Sequence, residues 1–89
     1  MFKVRVKWDK ITHQWELSST EIEAYACGDT FEETLDMLAD NIMALREDYF
    51  NNIKTYLNIP NMKKQYPYYL WIKAYSKEML LELLKEDIV

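Results

Sequence analysis

Five carboxylates recur at helical spacing in the middle of this 89-residue chain. At about 100° per residue, Glu32, Glu33, Asp36, Asp40 and Glu47 fall within an arc of about 100° on one side of a helix. An outward anionic stripe of this kind can hold the Lys and Arg side chains of a basic partner, or imitate the charge of a nucleic acid. Surface charge pairs contribute little singly, so such a face also needs an apolar anchor. Met43 lies within the acidic arc and is the candidate anchor. These six residues form the expected partner-binding set.

Other reactive residue types are sparse. His13, the sole histidine, alternates with Ile11, Trp15 and Leu17 on one strand face. That is the position of a packed or edge histidine more than of a general base, which needs a geometrical partner. Cys27, the sole cysteine, excludes an internal disulfide and stands just before a helix start. A helix dipole there could stabilise a thiolate, but the carboxylates that follow oppose it. One histidine and one cysteine with no spaced pair give no zinc site, and no D-x-D-x-D-G loop is present for calcium. A single glycine, Gly28, rules out phosphate-loop and dinucleotide glycine motifs. No catalytic, cofactor or metal residue is assigned, and the expectation is a protein that is not an enzyme.

The elements that must position the acids are legible from periodicity. FKVRVKW, residues 2–8, alternates perfectly, with Phe2, Val4, Val6 and Trp8 on one side and Lys3, Arg5 and Lys7 on the other. ITHQWEL, residues 11–17, alternates again, so a turn at Asp9-Lys10 makes an antiparallel hairpin. EIEAYAC, residues 21–27, reads as a third strand, and Gly28 gives the backbone freedom to leave the sheet. Thr30 and Glu33 make a T-x-x-E capping box. Phe31, Leu35, Leu38, Ile42, Leu45 and Tyr49 then form an apolar stripe of about 80°, opposite the acids. The helix can run to Leu57 unless Asn51-Asn52 interrupts it, and Pro60 is its latest end.

Residues 61–67 read as a loop. YYLWIKAY, residues 68–75, is rich in aromatic and branched residues and is expected to be a fourth strand. Lysines interleaved with aromatics over residues 63–75 could stack bases, but a strand apolar on both faces is better read as a central or interface strand. Ser76 caps a final helix to about Asp87. Its apolar residues spread over about 200°, more than one sheet contact buries. A second copy of the chain is the simplest further partner, with Trp71, Leu80 and Leu84 as the expected oligomer interface.

Composition bounds the rest. Apolar residues make up 49% of the chain and aromatics 15%, enough for a core in one domain over residues 1–89. A chain this short buries only about 60–65% of its unfolded surface, so association is expected to help it. The net charge of −4 divides unevenly: residues 1–15 carry +3, residues 16–50 carry −9 and residues 51–89 carry +2. An acidic middle argues against direct nucleic-acid binding, which needs clustered Lys and Arg. No leader and no bilayer-length apolar run is seen, so a cytoplasmic protein with no membrane partner is expected.

VRVKWDKITHQWELSS followed by ACGDTFEETLDMLADNI resembles the HicB-like antitoxin domain over about residues 2–49. The positions that carry the resemblance are Val4, Trp8, Asp9, Trp15, Ser18, Ser19, Asp29, Thr30, Glu32 or Glu33, Leu35, Leu38 and Ile42. The resemblance implies an α+β fold with a β-β-β-α-β core that oligomerises, here extended by a C-terminal helix, with helices on one face of an antiparallel sheet. It also implies a partner, a HicA-like toxin: a small basic ribonuclease whose RNA-contacting face the antitoxin covers. The chain departs from that family in lacking a D-(I/L)-P-G segment between strands two and three. After residue 60 it has too little chain for a helix-turn-helix, so operator binding is not expected. Two other functions fit the acidic face or the aromatic strand: an acidic nucleic-acid mimic from a phage or mobile element that inhibits a defence nuclease, and a structural oligomer or small-ligand binder with no toxin partner.

Overall fold

The computed structural model describes residues 2–89. Three strands, β1 (Val4–Asp9), β2 (Gln14–Ser19) and β3 (Ala24–Gly28), form an antiparallel meander in the order β1-β2-β3. Five helices follow: α1 (Phe31–Asn51), α2 (Ile53–Tyr56), α3 (Pro60–Lys63), α4 (Tyr66–Trp71) and α5 (Lys77–Glu86). This is the expected α+β class, an antiparallel sheet followed by helices.

Register explains which side of the sheet is covered. Val4, Ser19 and Ala24 lie in one row, Val6, Leu17 and Ala26 in the next, and Trp8, Trp15 and Gly28 in the third. Side chains of these rows face one way, and most of the first two are buried. Leu35, Leu38 and Ile42 of α1 are buried with them in one core, together with Ala39 and Tyr49. The opposite sheet face carries Arg5, Lys7, Glu16, Ser18, Tyr25 and Cys27 and bears no helix in that core.

Both hairpins have four-residue loops that end in a left-handed residue, His13 (φ 56) and Glu23 (φ 55). The second strand therefore starts at Gln14 and the third at Ala24, later than the alternation suggested. Asp9 Oδ1 accepts the N–H groups of Ile11 and Thr12 and closes the first loop. His13 thus stands exposed in a turn, off the strand face on which alternation placed it, and Ile11 is 90% exposed.

Gly28 has no positive φ, so freedom to turn is not its reason for being there. A Cβ at Gly28 would stand 2.7 Å from Thr34 Oγ1 and 3.6 Å from Met37 Sδ. Thr34 is buried, and its hydroxyl donates to the Thr30 carbonyl at 2.6 Å. Glycine is what lets the third row of the sheet touch the first turn of α1.

The largest correction concerns residues 68–75, which form no strand. Tyr66–Trp71 is helix α4, with Pro67 in its first turn, where proline costs no hydrogen bond. Tyr69 and Ile72 are buried while Leu70 and Trp71 are about half exposed, a spacing of three that belongs to a helix. Tertiary packing overrides the strand propensity of aromatic residues: the Tyr69 ring stacks on Tyr49 at 4.4 Å. Residues 61–67, expected as a loop, include most of α3. The interruption of the long helix falls at Asn52 (φ −122), whose side chain donates to the Asp48 carbonyl at 3.0 Å and to the Asp48 carboxylate at 3.1 Å.

The chain's two ends meet. Val4 N–H donates to the Asp87 carbonyl, Val89 N–H donates to the Val4 carbonyl, and Ile88 pairs with Val4 as a short parallel bridge.

Gly28→Ala is expected to destabilise the fold by about 1–3 kcal/mol, the usual cost of overpacking. Adding Thr34→Ala removes the atom that clashes, so the double variant should lose less than the sum of the two singles in urea unfolding.

Candidate functional site

Thr30 begins α1 as expected: its Oγ1 accepts the Glu33 N–H at 3.1 Å. The reciprocal half of the capping box is absent, since the Glu33 carboxylate bonds nothing among the described residues. It is exposed, as are Glu32, Asp36, Asp40 and Glu47. Periodicity therefore identified an exposed set. It also placed Leu45 in the buried stripe, yet Leu45 is 36% exposed, and Thr34 and Ala39 are buried instead.

The acids divide into two groups. Lys77, at the start of α5, reaches Asp36 Oδ1 at 2.9 Å and Asp40 Oδ1 at 3.0 Å. Hydrogen bonding to Asp36 first, and to Asp40, holds the Lys77 ammonium above its ordinary pKa. These two carboxylates clamp α5 to α1. Glu32, Glu33 and Glu47 make no ion pair among the described residues. Met43 is half-buried and packs on the chain's own core. It borders a shallow groove with Arg46, Glu47, Phe50 and Lys73.

Sequence reasoning missed Arg46 and Lys77, the cations that organise this side of α1. Arg46 Nη1 donates to the carbonyls of Ile72 and Tyr75, both at 2.8 Å, and so ties down the turn between α4 and α5. The available signal was that Arg46 is the lone cation among ten acids over residues 16–50.

The expected oligomer residues also separate. Leu80 and Leu84 are fully buried in the chain's own core and so are closed to a second copy. Trp71 is 57% exposed and remains on the surface. The broad apolar arc of α5 is covered largely from within, because Phe2, Tyr69 and Ile72 share that core with it.

On the open sheet face the Tyr25 hydroxyl donates to Glu16 Oε1 at 2.9 Å, and Lys7 lies 3.9 Å from Glu16 Oε2. The bond to Glu16, followed by desolvation and Cys27, pushes the Tyr25 phenol up to about 12. No helix of the described residues is long and apolar enough to cross a membrane.

Sheet, long acidic helix and helical return define a two-layer α+β fold. Residues 1–84 match a family model described as PHD-like, antitoxin of toxin–antitoxin, RelE/RelB, TA system, and the chain belongs to that family. A crystal structure described as an antitoxin part of a proposed toxin/antitoxin system from Syntrophomonas wolfei subsp. wolfei shares the fold, with TM-score 0.71 at 23% identity over 98% of this chain. This chain spans 61% of that one's length. A search of curated proteins gave no match. The antitoxin class anticipated from the sequence is thus the one found, while the matched description names RelE/RelB and not HicB.

Two outcomes follow from this geometry. Replacing Asp36 and Asp40 by Asn should speed amide exchange in α5 more than in the sheet, because only α5 depends on the clamp. The Tyr25 phenol should titrate near 12 in the folded protein and fall back toward 10.0 in Glu16→Gln, read by ultraviolet absorbance. Its folded pKa is raised, so the stability it contributes is complete below pH 10.0 and is lost as pH rises toward about 12.

Proposed function

We propose that this protein is a non-enzymatic antitoxin that neutralises a small basic, RNA-acting toxin in the cytoplasm by covering its nucleic-acid surface with the exposed side of α1. The observation that carries the reading is the antitoxin family match over residues 1–84, on a chain whose longest helix presents Glu32, Glu33 and Glu47 unpaired among the described residues. A toxin that contacts RNA carries clustered Lys and Arg, and unpaired carboxylates on a rigid helix are their natural complement. The HicB-like resemblance of residues 2–49 supports the same job and makes a HicA-like ribonuclease the specific partner to look for.

Asp36 and Asp40 take a secondary part in this mechanism. They already neutralise Lys77, so a partner's cations must share them or displace that lysine. Electrostatic complementarity of this kind governs encounter rate and specificity more than affinity.

Tagged protein expressed in its source cell should recover a small basic protein, identified by mass spectrometry, whose growth arrest is relieved on co-expression. Charge reversal of Glu32, Glu33 and Glu47 to Lys should abolish recovery with the far-ultraviolet circular dichroism unchanged. Undiminished recovery by that variant overturns the acidic-face mechanism. Failure to recover any basic protein overturns the antitoxin reading itself.

A further inference from the structure

Exposed charge pairs contribute little singly, so an acidic face needs an anchor to hold a partner. Met43, the expected anchor, packs on the chain's own core. A different anchor stands at the other end of α1. Trp8 and Trp15 occupy the third row of the sheet, and their ring centroids lie 5.2 Å apart. Trp15 in turn meets the Phe31 ring edge-on at 5.7 Å. Trp15 and Phe31 are half-buried against the core, whereas Trp8 is 41% exposed. His13 touches the Trp8 ring at 6.3 Å from the turn. The row is thus braced from within and open at Trp8.

Acids rim this row. Asp9 follows Trp8, Asp29 follows Gly28 and Glu32 follows Phe31. The N–H groups of Ile11 and Thr12 hold Asp9 below its ordinary pKa, so it stays charged. Asp29 and Glu32 are exposed, and their carboxylates make no ion pair or hydrogen bond among the described residues. Glu32 precedes Asp36 by one turn and so shares the flank of α1 that meets Lys77 of α5. Thr34 and Asn41 take the opposite flank, over β3. Glu32 therefore rises on the β1 side, where Trp8 lies.

The chain puts no cation of its own on this ring. Lys7 lies on the other sheet face against Glu16, and Lys10 lies in the turn. The cation–ring contact among the described residues is Lys73 over Phe50, toward the far end of α1. Trp71 is more exposed, at 57%, but its setting differs. Residues 51–76 carry Lys54, Lys63, Lys64 and Lys73 and no acid.

We infer that Trp8, backed by Trp15 and Phe31 and rimmed by Asp9, Asp29 and Glu32, is the hot spot that receives an arginine side chain of the protein partner. The occupant follows from charge and ring together. An anionic rim repels phosphate and nucleic acid and draws a cation. The face of an indole is the best aromatic surface for one. Guanidinium is planar and more weakly hydrated than ammonium, so it stacks where lysine stays in water. Its outer N–H groups remain free to donate to Glu32, a charge-assisted bond. The inference rests on the antitoxin reading for the partner and supplies the anchor that Met43 does not.

Short peptides of alternating Arg-Gly and Lys-Gly, equal in length and charge, test the site without the natural partner. Titrated into isotope-labelled protein, the arginine peptide should move the indole N–H resonance of Trp8 and leave that of Trp71 in place. It should bind about two- to fivefold more tightly than the lysine peptide, the size of an exposed cation–ring contact. Both readings use the wild type and need no variant to fold. Trp8→Leu, which keeps an apolar neighbour for Trp15, should erase the preference, and Glu32→Gln should weaken the arginine peptide, with circular dichroism unchanged. Equal affinity for the two peptides overturns the inference and leaves a general cation-binding face. Movement of Trp71 in place of Trp8 also overturns it. With the natural partner, Trp8→Leu should lower capture at least about tenfold; undiminished capture overturns the hot spot and spares the antitoxin reading. An arginine preference at Trp8 with no basic protein recovered upholds the site and overturns that reading instead.

Discussion

Tyr49 joins the two halves of this molecule, and the fold depends on that junction. Its ring is sandwiched by Tyr56 at 5.3 Å and Tyr69 at 4.4 Å, both nearly parallel to it, and its hydroxyl donates to the Met62 carbonyl at 2.7 Å. One side chain near the end of α1 therefore touches α2, α3 and α4. Stacked aromatics bury large areas and favour particular geometries. Without this stack the short helices would have little to order them, since isolated helices of four to six residues do not persist in water. Burial raises the pKa of both Tyr49 and Tyr69, as enclosure of a neutral phenol should.

From that junction α1 serves two sides. Toward the sheet, Leu35, Leu38 and Ile42 meet Leu17 and Ala26. Toward the C-terminal helices, Arg46 holds the carbonyls of Ile72 and Tyr75, and Asp36 with Asp40 hold Lys77. The flank that remains is what the protein can offer to others. Glu32, Glu33 and Glu47 lie on it near the acidic side, and Met37 and Leu45 lie beside β3.

Much of the first 50 residues was legible because each element there satisfies its own local pattern. Strict alternation from Phe2 to Trp8 and a 4-3-4-3-4 apolar spacing after Thr30 leave few other structures open. Errors of one to three residues at the hairpins arose because His13 and Glu23 adopt left-handed φ without being Gly or Asn. The HicB-like resemblance lay in this same half, and the match to an antitoxin family agrees with it in class. After residue 60 local pattern misled. Tyr68 to Tyr75 has the composition of a strand, and only the nearby Tyr49 ring decides that Tyr69 and Ile72 turn inward together.

The sequence by itself determined the meander, the start and stripe of α1, the exposure of five carboxylates and the start of α5 at Ser76. Those features rest on periodicity and capping, which act over a few residues. Tertiary structure alone decided that α4 is a helix, that Leu80 and Leu84 are core, and that Lys77 takes two of the five acids. Each of these is set by a neighbour 16 or more residues away, as Lys77 is from Asp36 and Tyr69 from Tyr49. Contacts of that reach leave no periodic trace, because they depend on where separate elements come together in space.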